Sequence, residues 1–271
     1  MPRPERTASD VILPAEDLSS IVRHTIGVGE RAEQLLTAGR HLKRGLLLFG
    51  PPGTGKTHTI GYLMASMPER TTVVLQGPSV GALGYAAAIV RNLTPSMLVI
   101  EDIDLIATER GMPGMGPADP LLFQLLNEMD GLTATDDVLF VLTTNRVDVL
   151  EPALVARPGR VDHAVEIGPP DEAGRKRLLE LYLNENDDLD GLEAVVERTE
   201  GVTASFMKEL VRRATLVALD DTGNSVVGNG HLESALDELL EGSVPIVRAM
   251  LGAGQHGDDP PPSMDTSDYE R

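Results

Sequence analysis

The 271-residue chain contains no cysteine, which excludes disulfides, thiol nucleophiles and cysteine-ligated zinc or iron–sulfur centres. Tryptophan is also absent, and four Phe and four Tyr are the whole aromatic complement. That is too few for a stacking platform along single-stranded nucleic acid. Basic residues are scarce: 23 Lys and Arg stand against 42 Asp and Glu, for a net charge of −19. Such a surface repels phosphate backbones and anionic lipid, so no nucleic-acid partner is expected, with room for a local basic patch at most. No apolar run approaches the roughly 18 residues of a membrane span, and the opening MPRPERTASD has no apolar signal core. A cytoplasmic protein without a membrane span is the expectation. The six histidines, at 24, 41, 58, 163, 231 and 256, form no H-E-x-x-H, so the zinc-protease motif is missing.

What is present suffices for a packed core, since 41% of the residues are apolar. Short apolar runs at 45–49, 71–76, 97–100, 138–143 and 163–167 read as strands. Helical patterns fall between them at 56–67, 84–92 and 121–129, and a further helix is expected around 30–39. Strands alternating with helices predict an α/β fold, a parallel sheet covered on both faces. Gly168-Pro169-Pro170-Asp171 marks a boundary. Beyond it only amphipathic helices are expected, near 172–183, 189–198, 203–219 and 231–239. The organisation read from this pattern is a flexible arm at 1–10, an α/β domain at 11–169, a small all-helical domain at 170–250, and an acidic, Pro-rich disordered tail at 251–271.

Gly50-Pro51-Pro52-Gly53-Thr54-Gly55-Lys56-Thr57 fits G-x-x-x-x-G-K-[ST] at every fixed position. Glycines let backbone N–H groups converge on phosphate without Cβ clashes, and the helix that follows presents its positive end. Lys56 is placed to reach the β- and γ-phosphates, and Thr57 to ligate Mg²⁺. Met97-Leu98-Val99-Ile100-Glu101-Asp102-Ile103-Asp104 is an apolar strand ending in carboxylates, which open into the same crevice. One should hold the metal through water, and the other should orient the attacking water.

With these motifs the chain resembles the AAA family of ATPases, in the branch that includes proteasomal regulatory ATPases and the ATPase modules of membrane-bound protein-unfolding proteases. The resemblance runs from about residue 11 to 240. It rests further on Gln124-Leu125-Leu126-Asn127-Glu128-Met129-Asp130-Gly131-Leu132, on Thr143-Thr144-Asn145-Arg146, and on Pro152-Ala153-Leu154 followed by Arg157-Pro158-Gly159-Arg160. It implies a P-loop ATP hydrolase with Mg²⁺ and an assembly into a homo-oligomeric, six-membered ring. Asn145 resembles the residue that contacts the γ-phosphate and the attacking water. Arg157 and Arg160 resemble arginines that act on a neighbouring subunit's nucleotide, where they stabilise transition-state charge. His58, Ile26 and Gly27 join the phosphate loop among the implied nucleotide contacts.

The pattern departs from the family's in several places. The usual Asp-Glu order is reversed, which puts Glu101 in the metal position and Asp102 in the catalytic one. The segment before Arg157 is one residue longer than usual, and no lid arginine can be assigned to the nucleotide. Polypeptide-threading members carry an aromatic-apolar-Gly triplet after the second strand. Here Ala82-Leu83-Gly84 is the nearest equivalent, read either as a weak grip on substrate through Leu83 or as an ordinary Gly-rich loop, with Tyr85 starting the next helix. Two functions follow from the resemblance. The first is a ring ATPase that remodels or unfolds protein substrates. The second is a slow nucleotide-switched assembly factor or adaptor acting on a partner complex without threading.

Overall fold

The computed structural model describes residues 5–104, 120–146, 161–184, 187 and 191–241. The apolar runs form five strands: β1 (Arg44–Phe49), β2 (Thr71–Leu75), β3 (Ser96–Ile100), β4 (Val138–Thr144) and β5 (His163–Glu166). Their order is β2-β3-β4-β1-β5, and every pairing is parallel. The P-loop α/β fold expected from the sequence is therefore the fold observed.

Alternate residues of each strand face opposite layers. Leu47, Leu98 and Phe140 pack under α5 (Leu83–Asn92) and α6 (Pro120–Asp130), through Leu83, Val90, Leu125 and Met129. Leu46, Leu48, Val99 and Val141 face the other way, onto Ile21 of α1 (Ala15–His24) and Ile60 and Leu63 of α4 (Lys56–Ser66). Helices cover both faces, which is why β3 and β4 are buried along their whole length.

The segment before β1 differs from the single helix expected near 30–39. It contains α1, α2 (Ile26–Glu30) and α3 (Ala32–Thr37). Glu16 and Asp17 in its first turn and Arg23 and His24 in its last suit the dipole of α1. Residues 5–10, expected as a loose arm, instead lie on α4: a Cβ added to Gly61 would come within 3.0 Å of the Arg6 side chain.

Beyond β5 come α7 (Glu172–Tyr182), α8 (Leu192–Arg198), α9 (Ala204–Thr222) and α10 (Asn229–Glu241). Asp171 caps α7 by accepting from the Gly174 N–H at 2.7 Å. Thr203 caps α9, whose end is set by Gly223 at φ 73°. These helices bury their own core around Leu179, Phe206, Met207, Leu210 and Leu236. Among the described residues no helix is long and apolar enough to cross a membrane.

The end of the sheet opposite the phosphate loop is tied by one carboxylate. Asp137, just before β4, accepts from Arg44 Nη1 and Arg70 Nη2, each at 2.7 Å. Arg44 also donates to the carbonyls of Leu42 and Thr25, and Arg70 to that of Ser96. Burial pushes the Asp137 carboxyl upward, but the bonds and charges of Arg70 and Arg44 outweigh it and hold the group below its ordinary 3.8. Both arginine side chains are nearly inaccessible. Asp137→Asn therefore removes the carboxylate that the two buried guanidiniums share, and we expect a loss of about 3–5 kcal/mol in urea unfolding. In the unsubstituted chain the carboxylate's contribution is complete above about pH 4 and is lost as acid titrates it through its lowered value. An Asp137→Asn chain with the original unfolding midpoint would contradict this role.

Candidate active site

Strand order positions the site. The phosphate loop leaves β1, the carboxylates leave β3, and β4 lies between them. In register, Leu48 pairs with Thr143, Phe49 with Thr144, and Ile100 with Leu142. The three strands thus end side by side, and their loops open into one crevice.

The loop Gly50–Gly55 turns through three positive-φ glycines, Gly50 at 136°, Gly53 at 77° and Gly55 at 120°. These are conformations that residues with a Cβ rarely adopt. At Gly50 a Cβ would sit 2.4 Å from the Ile167 carbonyl oxygen, so the loop also presses against the chain leaving β5. The Lys56 ammonium donates to the carbonyls of Gly50 and Pro51, at 2.8 Å each, which holds it across the loop. Pro52, Thr54 and Thr57 line the cleft beside it, and Thr54 is itself pinned by a bond to the Pro51 carbonyl.

The carboxylates separate into distinct roles. Glu101 accepts from the Thr57 hydroxyl at 2.7 Å on one oxygen and from the Gln76 amide on the other. Asp102 sits at φ 52°, the left-handed region, which is costly for a side chain with a Cβ. Its N–H donates to Thr143 Oγ1 at 3.0 Å, and its carboxylate accepts from Asn145 Nδ2 at 3.1 Å. Asp104, behind them, accepts from Thr144 Oγ1 and from the Asn145 N–H. Burial first, then repulsion from Asp104 and Glu101, raise the Asp102 carboxyl above 3.8. The Asn145 bond and the Lys56 charge work against that rise.

The cleft, about 360 Å³, runs from Lys56, Asp102 and Asn145 to a second end lined by Ile12, Leu13, Leu178 and Tyr182. His58 lies along it, and desolvation with the nearby charges of Arg6 and Lys208 lowers its pKa, keeping the ring neutral. The lid closes one wall. The Ser205 N–H donates to the Gly53 carbonyl at 2.9 Å, and a Cβ on Gly53 would meet the Ser205 side chain at 2.8 Å.

Measured against the sequence, the structure brings together Gly50–His58, Glu101, Asp102 and Asn145. Ile26 and Gly27 are a correction: neither lines the cleft. Gly27 is buried in α2, and Ile26 packs against the α1/α4 core. The segment that reaches the cleft is Asp10, Ile12 and Leu13, because residues 5–13 cross α4 before α1 begins. Leu83 is a second correction. It is 1% exposed in the core under α5, so it cannot grip a substrate, whereas Tyr85 beside it is 81% exposed. Arg157 and Arg160 lie outside the described residues. Gln76, Thr143 and Thr144 were missed, although each ends a strand adjoining β3, the position from which a side chain reaches the carboxylates.

A model of the family described as "ATPase family associated with various cellular activities (AAA)" matches residues 46–169. The chain is 35% identical over 219 residues to the ATP-dependent zinc metalloprotease FtsH 2 of Symbiobacterium thermophilum, covering 75% of this chain and 37% of that protein. It is 34% identical over 220 residues to the ATP-dependent zinc metalloprotease FtsH of Thermotoga maritima, covering 75% and 35%. It is 34% identical over 189 residues to Protein SAV of Sulfolobus acidocaldarius, covering 65% and 24%. The chain thus spans between about a quarter and a little more than a third of the length of these curated relatives.

Replacing Gly53 by Ala forces a Cβ against Ser205 at a positive φ. We expect Gly53→Ala to displace the lid and weaken ATP binding by about tenfold or more, read by titration of a fluorescent nucleotide. Lys56→Ala removes the loop's cation and should lower affinity further still. Unchanged affinity in both variants would remove this loop from the binding site.

Proposed function

Because the chain belongs to the AAA family of ATPases, we propose that it spends ATP on remodelling or unfolding protein substrates or complexes, acting as a ring of identical subunits. It is an ATP-hydrolysing enzyme by that membership, and the mechanism follows from its residues. The observation that carries the reading is the Asp102–Asn145 pair, held at the strand ends facing Lys56.

Thr57 and Glu101 are hard oxygen donors whose side chains meet at 2.7 Å beside a phosphate loop, a donor set that suits Mg²⁺. Bound there with the phosphates, the ion would neutralise developing negative charge. Lys56 adds a second cation on the β/γ side. Asn145 orients a water toward the γ-phosphorus, and Asp102 accepts that water's proton as the new P–O bond forms and the β–γ bridging oxygen departs with ADP. Asp102 is one methylene shorter than the Glu usual at its position. Its left-handed backbone is fixed by the bond from its N–H to Thr143, and its carboxylate lines the cleft beside Asn145, which supports a working role despite the shorter side chain.

Arg157 and Arg160 complete the site from a neighbouring subunit in this reading, since an arginine supplied in trans requires head-to-tail contacts that close into a ring. The resemblance suggests six subunits. A second reading, a nucleotide-switched assembly factor that does not thread its substrate, is favoured by the burial of Leu83. Stimulation of ATP turnover by an unfolded protein separates the two, because threading couples turnover to substrate and switching does not.

We expect Asp102→Asn to keep ATP affinity while lowering single-turnover hydrolysis by roughly 10²-fold or more. Glu101→Gln should instead raise the Mg²⁺ concentration needed for binding. Since Asp102 must be ionised and its pKa is raised, the acid limb of turnover should lie above the ordinary carboxylate value and vanish in the Asn variant. If the two phenotypes exchange, Glu101 is the base; near-original rates in both variants would take β3 out of the mechanism.

A further inference from the structure

The chain is charged at 24% of its positions, yet Arg91 is the one charged residue between Thr71 and Ile100. Arg91 is engaged in an ion pair with Glu128 of α6. This stretch builds one border of the molecule, from β2 through α5 to β3. Strand β2 is the last on its side of the sheet and, among the described residues, pairs only with β3. Edge strands present unpaired N–H and C=O groups, which proteins ordinarily protect with lysine, proline or a bulge. Thr71-Thr72-Val73-Val74-Leu75 has no charge and no proline, and it pairs with β3 residue for residue without a bulge.

Helix α5 lies over β2 and β3 and extends this border. Leu83, Ala86 and Val90 face the sheet. Gly84 and Arg91 face α6: a Cβ on Gly84 would meet the Gln124 side chain at 3.1 Å, and Arg91 holds Glu128. Tyr85, Ile89 and Leu93 follow at intervals of four, so they project on the side turned away from α6, outward over the β2 edge. They are 81%, 46% and 51% exposed, and the exposed Ala88 and Asn92 beside them carry no charge. On β2, Val73 and Leu75 pack under α5, while Val74 on the opposite face is 36% exposed. These side chains leave on the order of 400 Å² of largely apolar surface in water, the range in which patches on single chains are functional.

We propose that this border joins two copies of the chain about a two-fold axis normal to the sheet, with β2 antiparallel to the β2 of the second copy and α5 beside its α5. Charge and spacing select a second copy as the occupant. Each copy carries −19, so a self-contact has to keep like charges apart, and the exposed face of α5 and the edge of β2 bring none together. Paired edges lie about 4.8 Å apart, and α5, seated over β2 and β3, lies about half a strand spacing inside its own edge. The two helices then run about 10 Å apart, within the roughly 8–10 Å at which helices pack. With the strand edge added, the contact approaches the ~800 Å² per partner of a standard interface. The inference does not rest on the ATPase reading. A head-to-tail ring sets a residue against a different one, whereas a two-fold contact sets it against its own copy.

Because the chain has no cysteine, a single introduced cysteine can form a disulfide only with the same position of a second copy. Thr72→Cys, Val73→Cys and Val74→Cys, each in its own full-length chain, test the axis. Near an antiparallel two-fold, one or two of these positions come within the roughly 4.4–6.8 Å between Cα atoms that a disulfide requires. Mild oxidation without nucleotide should then give covalent dimer at one position or at two adjacent ones. Sedimentation velocity of the unsubstituted, nucleotide-free chain should show a dimer that dissociates on dilution. Ile89→Glu with Leu93→Glu brings carboxylates of both copies together across the axis. That pair should raise the dimer dissociation constant about 100-fold or more and abolish the cross-link, while ATP affinity stays unchanged and shows that the variant is folded. Three results overturn the proposal: a chain that stays monomeric at the highest concentration it tolerates, a dimer that the two glutamates leave intact, or a dimer that none of the three cysteines captures.

Discussion

The pairing of β4 with β1 on one side and β3 on the other is the constraint on which the rest of the molecule depends. All seven residues of β4 are buried, so a one-residue slip would turn every apolar side chain into the wrong layer. That penalty fixes the register, and the register fixes what meets at the strand ends. Thr143, Thr144 and Asn145 emerge together and hold the turn after β3: Thr143 accepts from the Asp102 N–H, and Thr144 and Asn145 donate to the Asp104 carboxylate. At the opposite end Asp137 performs a related task, drawing Arg44 and Arg70 onto the base of the sheet. Anchored at both ends, the central strand behaves as the rigid element a site needs if its geometry is to hold within a fraction of an ångström.

The acidic turn illustrates how strain and electrostatics combine. Three carboxylates within four residues repel one another, and the left-handed residue among them adds a conformational cost. Hydrogen bonds donated by Thr57, Gln76, Thr144 and Asn145 to the carboxylates, and by the Asp102 N–H to Thr143, offset both. The outcome is asymmetric. Glu101 has both oxygens occupied and Asp104 is buried behind it, while Asp102 has one donor and lies along the cleft. Neighbouring carboxyls with different surroundings can take different chemical roles.

Much of this was legible in the residues. Buried strands have to be apolar on both faces, so 45–49, 97–100 and 138–143 stood out, and a phosphate loop has few alternative compositions. The reversed order of Glu101 and Asp102 was also readable, since each side chain needed only its place in the strand. The misreadings have a common cause. Whether Asp10–Leu13 or Ile26–Gly27 reaches the cleft depends on where residues 5–13 cross α4, a long-range packing choice with no local signature. Leu83 follows a Gly-rich stretch that reads as an open loop. The Gln76 N–H donates to Ser79 Oγ, a cap that winds Gly77–Ala82 into a 3-10 turn and delivers Leu83 into the core. Helix α1 was obscured by Thr25, Gly27 and Gly29, weak helix formers close to its end.

The contact between Ser205 and Gly53 joins the lid to the phosphate loop through backbone atoms, so no side-chain change at either position removes the bond itself. Two bodies linked in this way share one free energy. Whatever factor a bound phosphate adds to the stability of the docked lid, a force or partner that holds the lid docked must add to nucleotide affinity. Pulling on α9 from outside would then loosen the nucleotide by the same factor. The lid is thereby a lever with the nucleotide at its short end, and mechanical load becomes a thermodynamic variable of binding.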